Sequence, residues 1–218
     1  MPDLKLETSF DGHVIGIDEA GRGPWAGPVT VTALWLNPKA YEQLPDDIND
    51  SKKIKPLRRA SLAACLQMPP HLYCTISEDA TVIDQMGVVA TTLMAMENAT
   101  RGIISLLKKA GLTGSAHALI DGPLQPKNMP CSSQPVVRGD SLSLSIAGAS
   151  IIAKHSRDSI MQILDTDWPV YGWRQNNGYG TSQHRRALTT YGVSPHHRRS
   201  FAPIRQLLET ANHSYENS

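Results

Sequence analysis

The stretch GIDEAGRGPWAGP, residues 16–28, decides how this chain is to be read. Two adjacent carboxylates, Asp18 and Glu19, close an apolar run, and glycines and prolines mixed with Arg22 follow at once. A turn that only reverses the chain needs far less. HVIGID (13–18) before it and VTVTALWL (29–36) after it both read as strands, the second with period-two alternation and many β-branched residues. With only the Gly/Pro-rich turn between them, they should pair as antiparallel neighbours. Gly21, Gly23 and Ala26 fit the loose spacing of a dinucleotide-binding turn, but that motif needs a helix to follow. Pro28 would break such a helix within a turn, and the next strand begins at Val29. The glycines therefore serve a loop, where a missing Cβ lets backbone approach a ligand closely. A tight turn with positive φ would explain one or two of them, but neither acid.

Working outward, LYCTIS (72–77) reads as a third strand. Val89, Leu93, Met96, Ile103 and Leu107 recur at helical spacing, giving an amphipathic helix over 88–109 closed by Gly111. AHALID (116–121) and PVVRG (135–139) are short strands, and a second helix runs from 143 to 164, where Gly148 is tolerated for close helix–sheet packing. The order implies an α/β layer domain with a mixed sheet. The 218 residues, 40% hydrophobic, suit one domain over 1–165 with a basic helical extension over 166–218 packed on it. The N-terminal segment MPDLKLETSF lacks the layout of a signal peptide, and no apolar run approaches the roughly 18 residues of a membrane span, so a cytoplasmic protein without a membrane partner is expected. Cys65, Cys74 and Cys131 show no CxxC spacing and read as small hydrophobes.

Charge is uneven along the chain. Between Trp168 and Leu208 there is no Asp or Glu, yet six arginines occur: Arg174, Arg185, Arg186, Arg198, Arg199 and Arg205. A second basic cluster, DSKKIKPLRR, spans 50–59. A basic region on an acidic body points to a polyanionic partner, against the plainer reading of a solvated face.

Carboxylates also end other strands: Asp121 closes AHALID and Asp140 follows PVVRG. Buried acids repel one another, so a cluster persists only when cations neutralise it or protons are taken up. Oxygen ligands suit Mg²⁺ or Mn²⁺, and two such ions about 4 Å apart can hold the attacking and leaving oxygens of a phosphodiester. Strand-end acids also serve as turn residues or helix caps, and spacing alone leaves both readings open. Consecutive strand residues face opposite ways, so Asp18 and Glu19 share one site only if the chain is leaving the strand at Ala20 and Gly21. Ser150, Lys154 and Asp158 share a helix face that presents cations to phosphate or carries a plain Lys–Asp pair. His184, His196 and His197 read as phosphate contacts or structural residues.

GIDEAGRGPWAGP, NDSKK (49–53), LIDGPL (119–124), RGDSLSLSIAGASIIAKHSRD (138–158), GYGT (178–181) and HHRRSFAPI (196–204) resemble, in order, the blocks of bacterial type 2 ribonuclease H, ribonuclease HII. The resemblance implies a ribonuclease H-like mixed sheet flanked by helices, with a helical C-terminal extension. It implies Mg²⁺ or Mn²⁺ bound by Asp18, Glu19, Asp121 and Asp140. It further implies that Gly21, Arg22 and Gly23 read the ribose 2′-hydroxyl, that Tyr179 packs on the following deoxyribose, and that Lys52, Ser150 and Lys154 contact the substrate. Asn177 departs from the lysine that many relatives carry before the Gly-Tyr pair. The implied activity is hydrolysis of the RNA strand of RNA–DNA hybrids and cutting 5′ to single ribonucleotides in duplex DNA, by a monomer, leaving 3′-hydroxyl and 5′-phosphate ends. A catalytically silent hybrid-binding module is the alternative, and a small-molecule phosphohydrolase is disfavoured by the acid-free arginine tract.

Overall fold

The computed structural model describes residues 1–51 and 53–216, with side chains described as far as residue 210. Lys52 therefore lies outside the described residues. In chain order the elements are α1 (Lys5–Thr8), β1 (His13–Ala20), β2 (Val29–Trp35), α2 (Pro56–Leu66), β3 (Leu72–Glu78), α3 (Ala80–Met86), α4 (Val88–Lys109), β4 (Ala116–Asp121), β5 (Ser132–Val136), α5 (Leu144–Asp167), α6 (Trp173–Asn176), α7 (Ser182–Tyr191) and α8 (Ala202–Glu216). None of the described helices is long and apolar enough to cross a membrane.

The chain forms two compact units that interleave in sequence. One comprises Met1–Ala20, Thr30–Ser77 and Thr92–Ser156; the other comprises Gly21–Val29, Glu78–Thr91 and Arg157–Ser218. The turn at 21–29 thus belongs with the C-terminal residues, not with the strands on either side of it.

The first unit is built on a five-stranded sheet ordered β3-β2-β1-β4-β5. β1 pairs antiparallel with β2, from Ile15↔Trp35 to Ala20↔Thr30, and parallel with β4, from His13↔Ala116 to Ile17↔Ile120. β5 pairs parallel with β4 and starts earlier than PVVRG suggests, aligning Asp121 with Val136. On one face Ile15, Ile17, Val31, Ala33 and Ile120 pack against Ala95, Met96, Ala99, Ile103 and Leu107 of α4. On the other, Leu34 and Leu36 meet Leu62 and Leu66 of α2 and Ala147, Ile151 and Ile152 of α5.

Covered on both faces, β2 is buried throughout, whereas a sheet packed on one face would leave alternate residues in water. The difference lies in the threonines, whose hydroxyls find partners inside: Thr30 with Ser77 at 2.9 Å and Thr32 with Thr75 at 2.8 Å. α5 lies close enough to β1 that a Cβ on Gly16 would collide with the Ser145–Ile146 backbone, and a Cβ on Gly148 would stand 2.5 Å from Leu34 Cδ2. Its first turn is capped twice. Ser143 Oγ accepts from Ile146 N at 3.2 Å, and Glu7 of α1 accepts from Ser145 N and Ser145 Oγ, both at 2.8 Å.

The second unit packs Ala26, Met161, Tyr171, Trp173, Leu188 and Ile204 together. α3 is tied into it by Asp84, which accepts from Arg199 N and Ser200 N, each at 2.8 Å.

Candidate functional site

In the first unit the register of β1 on β4 brings two acids side by side. Ile17 aligns with Ile120, so the residues that follow, Asp18 and Asp121, lie side by side on adjacent parallel strands. Asp18 is buried, 6% exposed, and its Oδ1 accepts the amide of Glu19 at 2.7 Å. The strand does not end there: Glu19 and Ala20 stay paired with Val31 and Thr30, so the chain leaves the sheet only after Ala20. Asp140 stands in a short 3₁₀ turn (Gly139–Ser141) that follows Arg138, whose φ is 57°. The amide of Gly139 donates to Asp121 Oδ1 at 2.7 Å, which fixes that turn to the end of β4.

Burial pushes the Asp18 carboxyl well above the usual carboxylate range, with Glu19 and Asp121 adding like-charge repulsion. A hydrogen bond from Ser150 opposes the shift. Asp121 is also raised, mainly by burial; the Gly139 amide opposes this and Asp140 adds to it. Among the described residues, no three His, Cys, Asp or Glu side chains form a ready-made metal group.

Ser150 is buried, and its Oγ lies 2.9 Å from Ser51 Oγ. Its hydroxyl is thus employed between Ser51 and Asp18. Arg59, also buried, donates to the Ser51 carbonyl at 2.9 Å, which holds the segment carrying Ser51 in place. Sequence reasoning assigned Ser150 to the substrate and missed Ser51 and Arg59, although both sit in the basic cluster it singled out. Lys154 lies one turn beyond Ser150 on α5 and is partly buried.

In the second unit the turn opens with Gly21 at φ +94°, where a Cβ would run into the side chain of Arg157. Gly21 is glycine for an internal reason. Arg22 and Gly23 are exposed, and a Cβ on Gly23 would meet only the ring of Tyr179, at 3.6 Å from Cε1. Tyr179 is itself half-exposed.

Two guanidiniums lie behind the turn, Arg157 at 1% exposure and Arg198 at 0%. The expectation that Arg198 belongs to a solvent-facing basic tract is therefore corrected, since its nitrogens are spent on backbone carbonyls. Arg174, Arg185, Arg186, Arg199 and Arg205 remain exposed. The Arg185 guanidinium lies over Trp25, 5.1 Å from the ring centroid.

Of the histidines, His184 and His197 are structural. They are buried, their Nε2 atoms are 2.9 Å apart, and His184 Nδ1 lies 3.0 Å from the Tyr179 carbonyl. His197 Nδ1 accepts from Ser194 N at 3.0 Å, so its proton sits on Nε2 and is donated to His184, whose own proton goes to Tyr179. Burial lowers the proton affinity of both, with His197 brought to about 3.

The profile described as ribonuclease HII matches residues 15–204. A ribonuclease HII from Jannaschia sp. (strain CCS1) is 42% identical over 210 residues, covering 95% of this chain and 98% of its own. Among solved structures, the ribonuclease H2 from Pyrococcus horikoshii OT3 has a TM-score of 0.74 at 22% identity, covering 92% of this chain and 99% of its own. Bst-RNase HIII in complex with Mn²⁺ has a TM-score of 0.74 at 16% identity, covering 93% of this chain and 71% of its own.

Proposed function

This chain belongs to the ribonuclease HII family, metal-dependent endonucleases that hydrolyse RNA paired with DNA, and we propose that it cuts 5′ to ribonucleotides with Asp18, Glu19, Asp121 and Asp140 as its metal ligands. The observation that carries this reading is the buried Asp18 beside Glu19 and Asp121. A carboxylate kept out of water among like charges calls for a cation, and an all-oxygen donor set fits Mg²⁺ or Mn²⁺. Held by these four carboxylates, divalent ions would supply positive charge to the reacting oxygens of the phosphodiester, and the cleavage we propose leaves 3′-hydroxyl and 5′-phosphate ends.

The protein's own groups do the rest. Ser150 orients Asp18, and the Gly139 amide orients Asp121. Lys154 contributes positive charge toward phosphate, a role we also assign to Lys52. The backbone of Gly21, Arg22 and Gly23 reads the 2′-hydroxyl, the group that separates RNA from DNA at a single position. Tyr179 packs its ring on the deoxyribose that follows. We place this activity in a cytoplasmic monomer acting on RNA–DNA hybrids and on duplex DNA that contains ribonucleotides.

The test is cleavage of a labelled DNA duplex containing one ribonucleotide, with and without Mg²⁺, by the wild type and by Asp121→Asn. The variant should lose cleavage while still binding the hybrid. Wild-type turnover by Asp121→Asn at ordinary Mg²⁺ would overturn the ligand assignment.

A further inference from the structure

Arg157 and Arg198 hold the 21–29 turn by its carbonyls. Arg198 donates to Gly21 O at 2.6 Å, Arg22 O at 2.9 Å, Gly27 O at 2.9 and 3.0 Å and Pro28 O at 3.0 Å. Arg157 donates to Pro28 O at 2.9 Å, Ala26 O at 3.2 Å and Asn177 O at 3.1 Å. Two charges out of water and near one another are an expensive way to fasten a loop, since each buried ion costs several kcal/mol before its partners compensate. An apolar filler would hold a merely structural turn for less.

The direction of the bonds shows what the charges add. In a planar trans peptide the N–H points opposite to the C=O. With the carbonyls of Gly21 and Arg22 drawn inward to Arg198, the amides of Arg22 and Gly23 are turned the other way, at the two exposed residues of this turn, the second of them beside Tyr179. The bond from Arg157 to Asn177 O fastens the residue just before the Gly178–Tyr179 pair to the same guanidinium. A single buried pair thus sets the outward amides and the stem of the tyrosine together.

We propose that Arg157 and Arg198 are positioning residues for sugar recognition, fixing the amides of Arg22 and Gly23 and the loop carrying Tyr179 in one arrangement that selects a ribonucleotide next to DNA. Neither arginine touches the substrate in this scheme, and the scheme rests on the reading of the turn as the ribose reader. Lysine at either position keeps the charge and loses the planar fork, so it separates geometry from electrostatics.

The experiment uses the full-length protein carrying Arg198→Lys, with Arg157→Lys in parallel. kcat and KM are measured on a duplex with one ribonucleotide and on an all-RNA hybrid, and amide exchange is followed over residues 21–23. Arg198→Lys should lower kcat on the single-ribonucleotide duplex by about 10²-fold, the scale of a roughly 1 Å misplacement, with KM changed much less. The all-RNA hybrid should lose less, and exchange at 21–23 should quicken while Mn²⁺ binding measured by calorimetry stays as in the wild type. A folded Arg198→Lys that keeps wild-type kcat on the single ribonucleotide, or loses equally on both substrates, would overturn the proposal. Should Arg198→Lys fail to fold, Arg157→Lys, which leaves all the bonds of Arg198 in place, is judged by the same criterion. A wild type that ignores the single ribonucleotide would instead sink the reading of the turn itself.

Discussion

Gly23 faces the ring of Tyr179 at a distance that leaves room for a methyl group, with 3.6 Å between an added Cβ and Cε1. Gly21, two residues earlier, has no such room and a φ of +94°. Both fall in the same short motif, yet they are glycine for different reasons. Gly23→Ala should therefore leave stability within about 0.5 kcal/mol of wild type, the range of an ordinary surface change, while sharply reducing cleavage at a single ribonucleotide. Gly21→Ala should cost at least ~1–2 kcal/mol from backbone alone, with the collision against Arg157 added to it. Chemical denaturation and cleavage, measured on both variants, check the contrast.

Tyr179→Ala removes a half-exposed ring, so the melting temperature should barely move. Its effect should appear in substrate choice, with cutting at the RNA–DNA junction weakened more than cutting inside a longer RNA tract. Equal losses on the two substrates would show that the ring does not read the junction.

Asp18→Asn should inactivate the enzyme and stabilise the protein when no divalent ion is present. The carboxyl binds its proton more tightly folded than unfolded, so folding takes up protons and stability falls as pH rises above the ordinary Asp range toward the raised value. At neutral pH the ionised group is a burden that the isosteric amide removes, raising stability by about 1–3 kcal/mol. Thermal scans in a chelator at pH 7.5 and pH 4 measure this, and the gain should shrink at the lower pH.

The His184–His197 pair should make the protein acid-sensitive in a defined window. Both are lowered by burial, so the unfolded chain takes up their protons first, and stability is lost as pH falls from about 6.5 toward the folded value of His197, about 3. His197→Gln should be less stable than wild type at pH 8 but show a flatter decline between pH 7 and 4 in urea titrations.

Salt dependence should follow exposure along the arginine tract. Arg186→Ala with Arg199→Ala removes two exposed charges and should flatten the slope of log affinity against log salt by about 0.9 for each phosphate no longer neutralised. An unchanged slope would mark these arginines as a solvated face.

Much of the frame was legible because it is written locally. The periodicity of 88–109 is the helix Val88–Lys109, and AHALID is the strand Ala116–Asp121, with its acid at the end that parallel pairing sets beside Asp18. What escaped was decided by burial, which a string of residue types does not carry. That Thr30 and Thr32 go inside depends on the hydroxyls of Ser77 and Thr75, which β3 supplies. Arg198 and Arg199 are identical neighbours in sequence, one fully enclosed and one exposed, and counting charges treats them alike. Glu7, in a segment that offered no motif, completes the cap of the helix that carries Ser150.

The bonds from Arg198 to Gly21 and Arg22 join residues 177 and 176 positions apart. During synthesis the turn emerges well before its fastener, so a nascent chain has the acids, the sheet and most of its helices before the 21–29 loop acquires its shape. Contacts of such separation form late, since a long closure must precede them. A chain interrupted before residue 198 would carry the four carboxylates and the turn itself, and lack the guanidinium that draws the Gly21 and Arg22 carbonyls inward. Under the proposed role of the turn, selectivity between ribose and deoxyribose is thus acquired after the acids are in place, and shortening the C-terminal region as far as Arg198 would remove it before any of the four carboxylates is lost.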